Sequence, residues 1–254
     1  METPFFRLNM KYIKDNFLVV SDYNWLPDNL EDSWVHKYSD NYLIYDRYHR
    51  YPESDKVKWQ KNVGQNHYDM FDFIINNYDN LPECTIFCRS CFMWPKDTGI
   101  PIYDSNGRKR STGNCTEEFF LKNANNNFFT ELQDFTSEPW RFNGIANKIG
   151  PENSYLEQNN SWYFHKHPGK YYTNLNTFLK DMYVNPPQLD YIRFSPGGNY
   201  IIPKQYILKY SKSFYERIRE LMSWDIITGE IHMIERITYH MFMDNWEVVD
   251  KYKK

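Results

Sequence analysis

Apolar residues in this chain come in short runs that stop at polar ones. Phe17-Leu18-Val19-Val20-Ser21 is nearly continuous and ends at Asp22-Tyr23-Asn24, the pattern of a buried strand that feeds a polar loop. Leu30 to His36 has the length of a short helix, and Tyr42 to Asp46 repeats the strand pattern with an acid at its end. After a turn at Asn62 to Asn66, Phe71, Ile74, Ile75 and Tyr78 recur at helical spacing, and Pro82 closes the unit. Thr85 to Cys88 then reads as a third strand. This alternation predicts a parallel sheet with crossover helices over the first 90 residues.

Residues 95–170 show no clean period. They hold a basic turn at Asp104 to Arg110, a polar patch at Asn123 to Asn127 and a loop composition at Phe164 to Gly169. Order returns with a helix through Leu175, Phe178, Leu179 and Met182, which Pro186-Pro187 ends. Tyr191 to Phe194 leads through Ser195-Pro196-Gly197-Gly198-Asn199 into a strand at Tyr200 to Ile202. Helices follow at Phe214 to Met222 and at Gly229 to Met243. With no internal repeat and no linker, the expectation is one α/β domain over residues 1–254, a mixed and mostly parallel central sheet flanked by helices.

Composition narrows the function classes. Thirty basic against 33 acidic residues give a net charge of −3, which points away from a nucleic-acid partner. No stretch approaches the roughly 20 apolar residues of a membrane helix, and Met1 to Asn16 has no apolar signal core, so a cytoplasmic protein is expected. Aromatic residues make up 19% of the chain. They serve either a thick core with polar handles or surfaces that stack on sugars and bases. Phe71, Tyr78, Phe178 and Phe214 fall at core spacings; Tyr23, Trp25, Trp94, Trp162 and Tyr163 are left as stacking candidates.

Several polar groups invite chemistry. Cys84, Cys88 and Cys91 with Cys115 have a spacing open to a zinc or iron–sulfur site, yet the Cys84–Cys88 stretch looks like a strand in which thiols behave as small hydrophobes. His165 and His167 form a two-residue pair of the kind that binds metal, without a third ligand nearby. On the last helix, Glu235 shares a face with Ile231, Ile234, Thr238, Met241 and Phe242. A carboxylate there needs a partner: an internal arginine such as Arg193, or a substrate. Arg236 and His240 fall on the other side, as surface residues or the rim of a cleft. The strand ends Asp22-Tyr23-Asn24, Asp46-Arg47 and Arg89-Ser90 would gather at the carboxyl edge of a parallel sheet, where ligands bind. No G-x-G-x-x-G follows the first strand and no P-loop occurs, which disfavours dinucleotide dehydrogenases and P-loop NTPases.

The segments Leu18 to Asn24, Asn62-Val63-Gly64-Gln65-Asn66, Asn77 to Pro82, Phe194 to Tyr200, Phe214 to Arg217 and Glu235 to His240 resemble, in order, an uncharacterised glycosyltransferase-like family. The resemblance covers roughly residues 17–90 and 190–243. It implies a Rossmann-related, GT-A-type fold and transfer of a sugar from a nucleotide-sugar donor to a glycan or glycoconjugate acceptor. Residues 1–90 would be the donor half, 91–189 a variable middle and 190–254 the acceptor side. Asp22, Tyr23, Asn24, Asp46, Arg47, Asn62, Gly64, Asn66, Arg89 and Ser90 would border the donor; Gly197, Gly198, Arg236 and His240 would meet the acceptor; Glu235 would be the general base or an acceptor anchor. Two departures stand out. The turn is Gly64-Gln65-Asn66 where the family carries Gly-Arg-Glu, and the third strand ends in Cys88-Arg89-Ser90 with no Asp-x-Asp. A divalent cation, Mn²⁺ or Mg²⁺, would then fall to Asp97 and Asp104, or its work on the leaving phosphates to arginines. A glycoside hydrolase with paired carboxylates and a non-catalytic carbohydrate-binding module are the alternatives.

Overall fold

The computed structural model describes residues 11–93, 114–134 and 146–254. The apolar runs become strands β1 (Phe17–Asp22), β2 (Tyr42–Asp46), β3 (Val57–Trp59) and β4 (Cys84–Arg89). Two further strands, β5 (Thr130–Glu131) and β9 (Tyr200–Pro203), complete a six-stranded sheet of order β3-β2-β1-β4-β9-β5. The β3-β2-β1-β4 half is parallel; β9 runs antiparallel to both β4 and β5. The sheet is therefore mixed, as expected. The short edge strand β3 escapes the hydrophobic pattern because only three residues pair, inside a polar stretch, so the expected third strand is the fourth of the parallel set. A second, antiparallel sheet joins β6 (Asn147–Ile149), β7 (Tyr155–Gln158) and β8 (Tyr191–Arg193).

Alternation along the strands sorts the core onto the two sheet faces. Val19, Tyr45, Phe87, Tyr200 and Ile202 face a larger core with helices α2 (Gln65–Asn76), α4 (Leu175–Met182), the short α5 (Lys204–Ile207), α6 (Lys212–Met222) and α7 (Gly229–Met243). Leu18, Val20, Ile44, Ile86 and Ile201 face a smaller one with α1 (Trp34–Tyr38) and α3 (Glu117–Asn123). Cys84, Cys88 and Cys115 are free thiols inside this smaller core, and burial pushes the Cys84 thiol up to about 12. They pack as hydrophobes. The helix ends follow their capping residues: Asn174 accepts from the Thr177 N–H ahead of α4, and Thr228 from the Ile231 N–H ahead of α7. The aromatic residues supply much of the core, with Tyr45, Tyr163, Tyr183, Tyr200, Tyr215 and Phe178 among the largest fully buried side chains. Among the described residues, no helix is long and apolar enough to cross a membrane.

Candidate functional site

After β1 the chain builds β2 and β3 on one side and returns to β4 on the other, so the sheet changes direction of winding between β1 and β4. A crevice forms outside the carboxyl ends of strands at such a point. Polar residues do gather there, and they divide into two groups by what they hold.

The first group builds the rim and keeps little for a ligand. Asp22 Oδ1 accepts from the backbone of Trp25 and Leu26 at 3.0 and 3.2 Å, and its Oδ2 accepts from Arg50 at 3.0 Å. Asp46 accepts from the backbone of Tyr48, Arg50 and Tyr51. Both carboxylates are fully buried and fold their own loops. Arg47, expected to reach the donor, instead spends every N–H inside the protein. Nε and Nη2 bind Asp69 at 3.2 and 2.6 Å, Nη1 binds the carbonyls of Lys61 and Val63, and Nη2 also binds that of Gln65. Arg47 thus pins the turn that starts α2. That turn holds Asn62, half-buried with an unpartnered Oδ1, and Gly64, in the left-handed region at φ 63° with Tyr68 and Met222 against its Cα. Asn24 stands exposed in a left-handed turn at φ 66°.

The second group is uncommitted. Tyr23 Oη, Arg89 Nε and Ser90 Oγ are buried and have no hydrogen-bond partner. The Tyr23 ring lies 5.3 Å from the Arg47 guanidinium. Burial raises its phenol strongly against the opposing pull of Arg47 and Arg89, so it stays a donor. Arg89 is steered by two asparagines: its N–H donates to Asn199 Oδ1 at 3.0 Å and its Nη2 to Asn114 Oδ1 at 3.2 Å.

The Ser195–Asn199 turn joins this crevice to the last helix. Gly197 and Gly198 both have positive φ, 80° and 62°, and neither tolerates a side chain: a Cβ on Gly197 would sit 2.6 Å from the Arg89 guanidinium, and one on Gly198 2.5 Å from the His67 ring. Asn66 Nδ2 donates to the Gly197 carbonyl at 2.6 Å, and the Gly197 N–H donates to Glu235 Oε1 at 2.6 Å. Donor-side Asn66 and Arg89 and acceptor-side Gly197, Gly198 and Glu235 therefore meet on one turn. We expect Gly198→Ala to cost at least the ~1–2 kcal/mol of left-handed strain for a residue with a Cβ, plus the overlap with His67. A chemical-denaturation midpoint equal to wild type would show the turn to be looser than this.

Glu235 is less buried than its helical face implies, its side chain 16% exposed; the fully buried carboxylate of α7 is Glu230, whose Oε1 accepts the N–H groups of Tyr171 and Tyr172. The arginine beside Glu235 is Arg236, at 3.3 Å, and not Arg193, which pairs with Glu131 and Glu152. Burial alone would raise the Glu235 carboxyl, but His232, whose Nδ1 lies 3.8 Å from Oε2, and the charges of Arg236 and His67 outweigh it and hold the group well below the usual carboxylate range. Arg236 is no surface residue. It is buried, binds Glu157 at 2.6 Å and lies 4.4 and 5.0 Å from the Tyr163 and Phe194 ring centres. His240 is buried as well, but far along the helix, stacked on Trp246 at 5.2 Å with Nδ1 on Asp244 at 2.8 Å, which takes it out of the acceptor side.

His67, His232, Asn114 and Glu157 complete the cluster, and the sequence reading did not select them. His67 directly follows the Asn62–Asn66 turn and His232 lies on the predicted last helix; Asn114 and Glu157 carry no local signal. Of the stacking candidates, Trp162 is 39% exposed and lies over Arg236 at 5.6 Å, whereas Tyr163 is buried. Trp94 and the proposed metal ligands Asp97 and Asp104 lie outside the described residues. Among the described residues, no group of three or more His, Cys, Asp or Glu side chains is arranged to hold a metal ion. No family model, curated protein or solved structure matches this chain.

Proposed function

We propose that the protein is a glycosyltransferase that moves a sugar from a nucleoside-diphosphate sugar to a glycan or glycoconjugate hydroxyl. The carrying observation is the trio of buried, unpartnered polar atoms on Tyr23, Arg89 and Ser90 at the carboxyl ends of β1 and β4. Leaving such atoms unsatisfied costs about 1–3 kcal/mol each, a cost that a bound polar ligand relieves. A guanidinium with a free Nε suits phosphate oxygens. The mixed sheet with a parallel amino-terminal half agrees with what the family resemblance implies. Glu235, fixed on the Gly197 N–H, fits an anchor better than a base, since a strongly acidic carboxyl takes up protons poorly. The same property disfavours a hydrolase that uses Glu235 as its acid, because such an enzyme needs one carboxyl to keep its proton near neutrality.

A thermal-shift screen with uridine, guanosine, cytidine and adenosine diphosphates, with and without Mn²⁺, tests this reading. At a hundredfold excess over Kd, a bound nucleotide adds about 2.7 kcal/mol, or roughly 5–10 °C for a chain of this size. Absence of any shift across the panel sinks it. A shift that appears only with Mn²⁺ assigns the phosphates to a cation.

A further inference from the structure

The cluster around Glu235 holds a group better suited to accept a proton than Glu235 itself. His232 lies three residues earlier on α7, so helical spacing puts the two side chains on one face. Glu235 Oε2 faces His232 Nδ1 at 3.8 Å and Arg236 Nη1 at 3.3 Å, while Oε1 is taken by the Gly197 N–H. A carboxylate facing Nδ1 favours the tautomer that carries its proton there, which leaves a lone pair on Nε2. That Nε2 is buried and has no hydrogen-bond partner. Around it lie the rings of His167 at 4.9 Å, Tyr163 at 5.5 Å and Trp162 at 6.5 Å between centres. Trp162, partly exposed, offers an apolar face of the kind on which a sugar ring packs.

We propose that His232 is the general base of this site and that Glu235 is its positioning residue, so that Nε2 takes the proton of the acceptor hydroxyl. The inference rests on the transferase reading above. In the step, the acceptor oxygen bonds to the anomeric carbon as the bond from that carbon to the phosphate oxygen breaks. The nucleoside diphosphate leaves with the bonding electron pair, and the hydroxyl proton passes to His232 Nε2. The imidazolium so formed faces the Glu235 carboxylate and later releases its proton to water. Orienter, imidazole and free Nε2 follow the logic by which a buried carboxylate fixes a catalytic histidine. His67 is less apt, because its Nε2 is covered by Gly198, where a Cβ would lie 2.5 Å away.

The charged and titratable groups near His232 are Glu235 and Arg236 on α7, His67 on α2, and Tyr163 and His167 on the segment before α4. Only Glu235 among them supplies a negative charge opposite Nδ1, so its removal should release the imidazole tautomer. Histidine-labelled full-length protein, followed by long-range ¹H–¹⁵N correlation spectra, should show His232 with its proton on Nδ1. In Glu235→Leu that preference for Nδ1 should be lost. The opposite tautomer, or an Nδ1 preference that Glu235→Leu leaves in place, overturns the dyad without any ligand present.

Turnover of a panel of uridine, guanosine and cytidine nucleotide sugars, with water as acceptor, is the second arm. His232→Gln should lose about 10²–10⁴-fold in kcat, with nucleoside diphosphate affinity unchanged. Wild-type turnover in His232→Gln overturns the inference. A wild-type protein that binds no nucleoside diphosphate overturns the transferase reading instead, and the tautomer experiment then still decides the dyad.

Discussion

Arg47→Met should lower the unfolding free energy by about 3–5 kcal/mol, read as a fall in the urea midpoint with unchanged slope. The size follows from where the guanidinium sits. Arg47 and Asp69 are both without side-chain exposure and meet at 2.6 Å, so removing the cation strands a carboxylate in the core. Burial already pushes the Asp69 carboxyl up to about 6 against the pull of Arg47 and Ser21, and without Arg47 only Ser21 of those two remains to oppose it. The carbonyls of Lys61, Val63 and Gln65 also lose their donors, and together they shape the turn that delivers Asn66 and His67. Arg47→Met/Asp69→Leu should recover part of the loss and not all of it, since it removes the stranded charge but leaves the carbonyls unpaired. A single variant within 1 kcal/mol of wild type would return Arg47 to the role of a ligand-facing cation.

That prediction inverts the role the sequence assigns to Arg47, and the reason is general. The apolar code is local: β2, α4 and α7 begin and end where their runs and caps place them, because burial of a strand or helical face depends on neighbours two to four residues away. The fate of a polar group is not local. Arg47 is claimed by Asp69, Arg236 by Glu157 and Asn66 by the Gly197 carbonyl, partners 22, 79 and 131 residues distant. Asp22 and Asp46 have the right residue type at a strand end for binding a ligand, and the same type caps a loop once the next few N–H groups fold back onto it. What was legible is the meeting place, since the strand-end residues, the two glycines and Glu235 do converge. The division of labour within it depends on Glu157 and Asn114, in the stretch where periodicity fails, and on His232, whose neighbours are rings brought in from residues 162–167.

His67 should withdraw on the order of 3 kcal/mol of stability as pH drops from about 6.5 to about 4, while Asp69, its carboxyl raised by burial to about 6, acts with the opposite sign below that value, so the His67 share is read as the difference between wild type and His67→Gln. Burial is the largest influence on this imidazole, and Arg89, His232 and Arg236 act in the same direction; only Glu235 opposes them, and the result lies at about 4 against an ordinary 6.5. The unfolded chain therefore binds a proton throughout a window in which the folded chain does not. The stabilisation is complete above about 6.5 and is lost progressively towards 4. His167 is shifted in the same direction by burial, His232 and Lys166, but it is half-exposed and solvent screens its contribution. Glu235 acts in a lower window: its carboxyl lies below the usual range, so its stabilisation fades only as pH falls below about 4.5. Urea midpoints at half-unit steps between pH 4 and 7 should rise less steeply with pH in His67→Gln than in wild type, with the opposing Asp69 contribution left in place. An unaltered slope in His67→Gln would move the titrating group elsewhere. If the slope does belong to His67, the folded ring, wedged under Gly198, takes its proton only as pH falls through about 4, so nucleotide affinity should decline there, as the turn between Arg89 and Glu235 loosens, and not between about 6.5 and about 5.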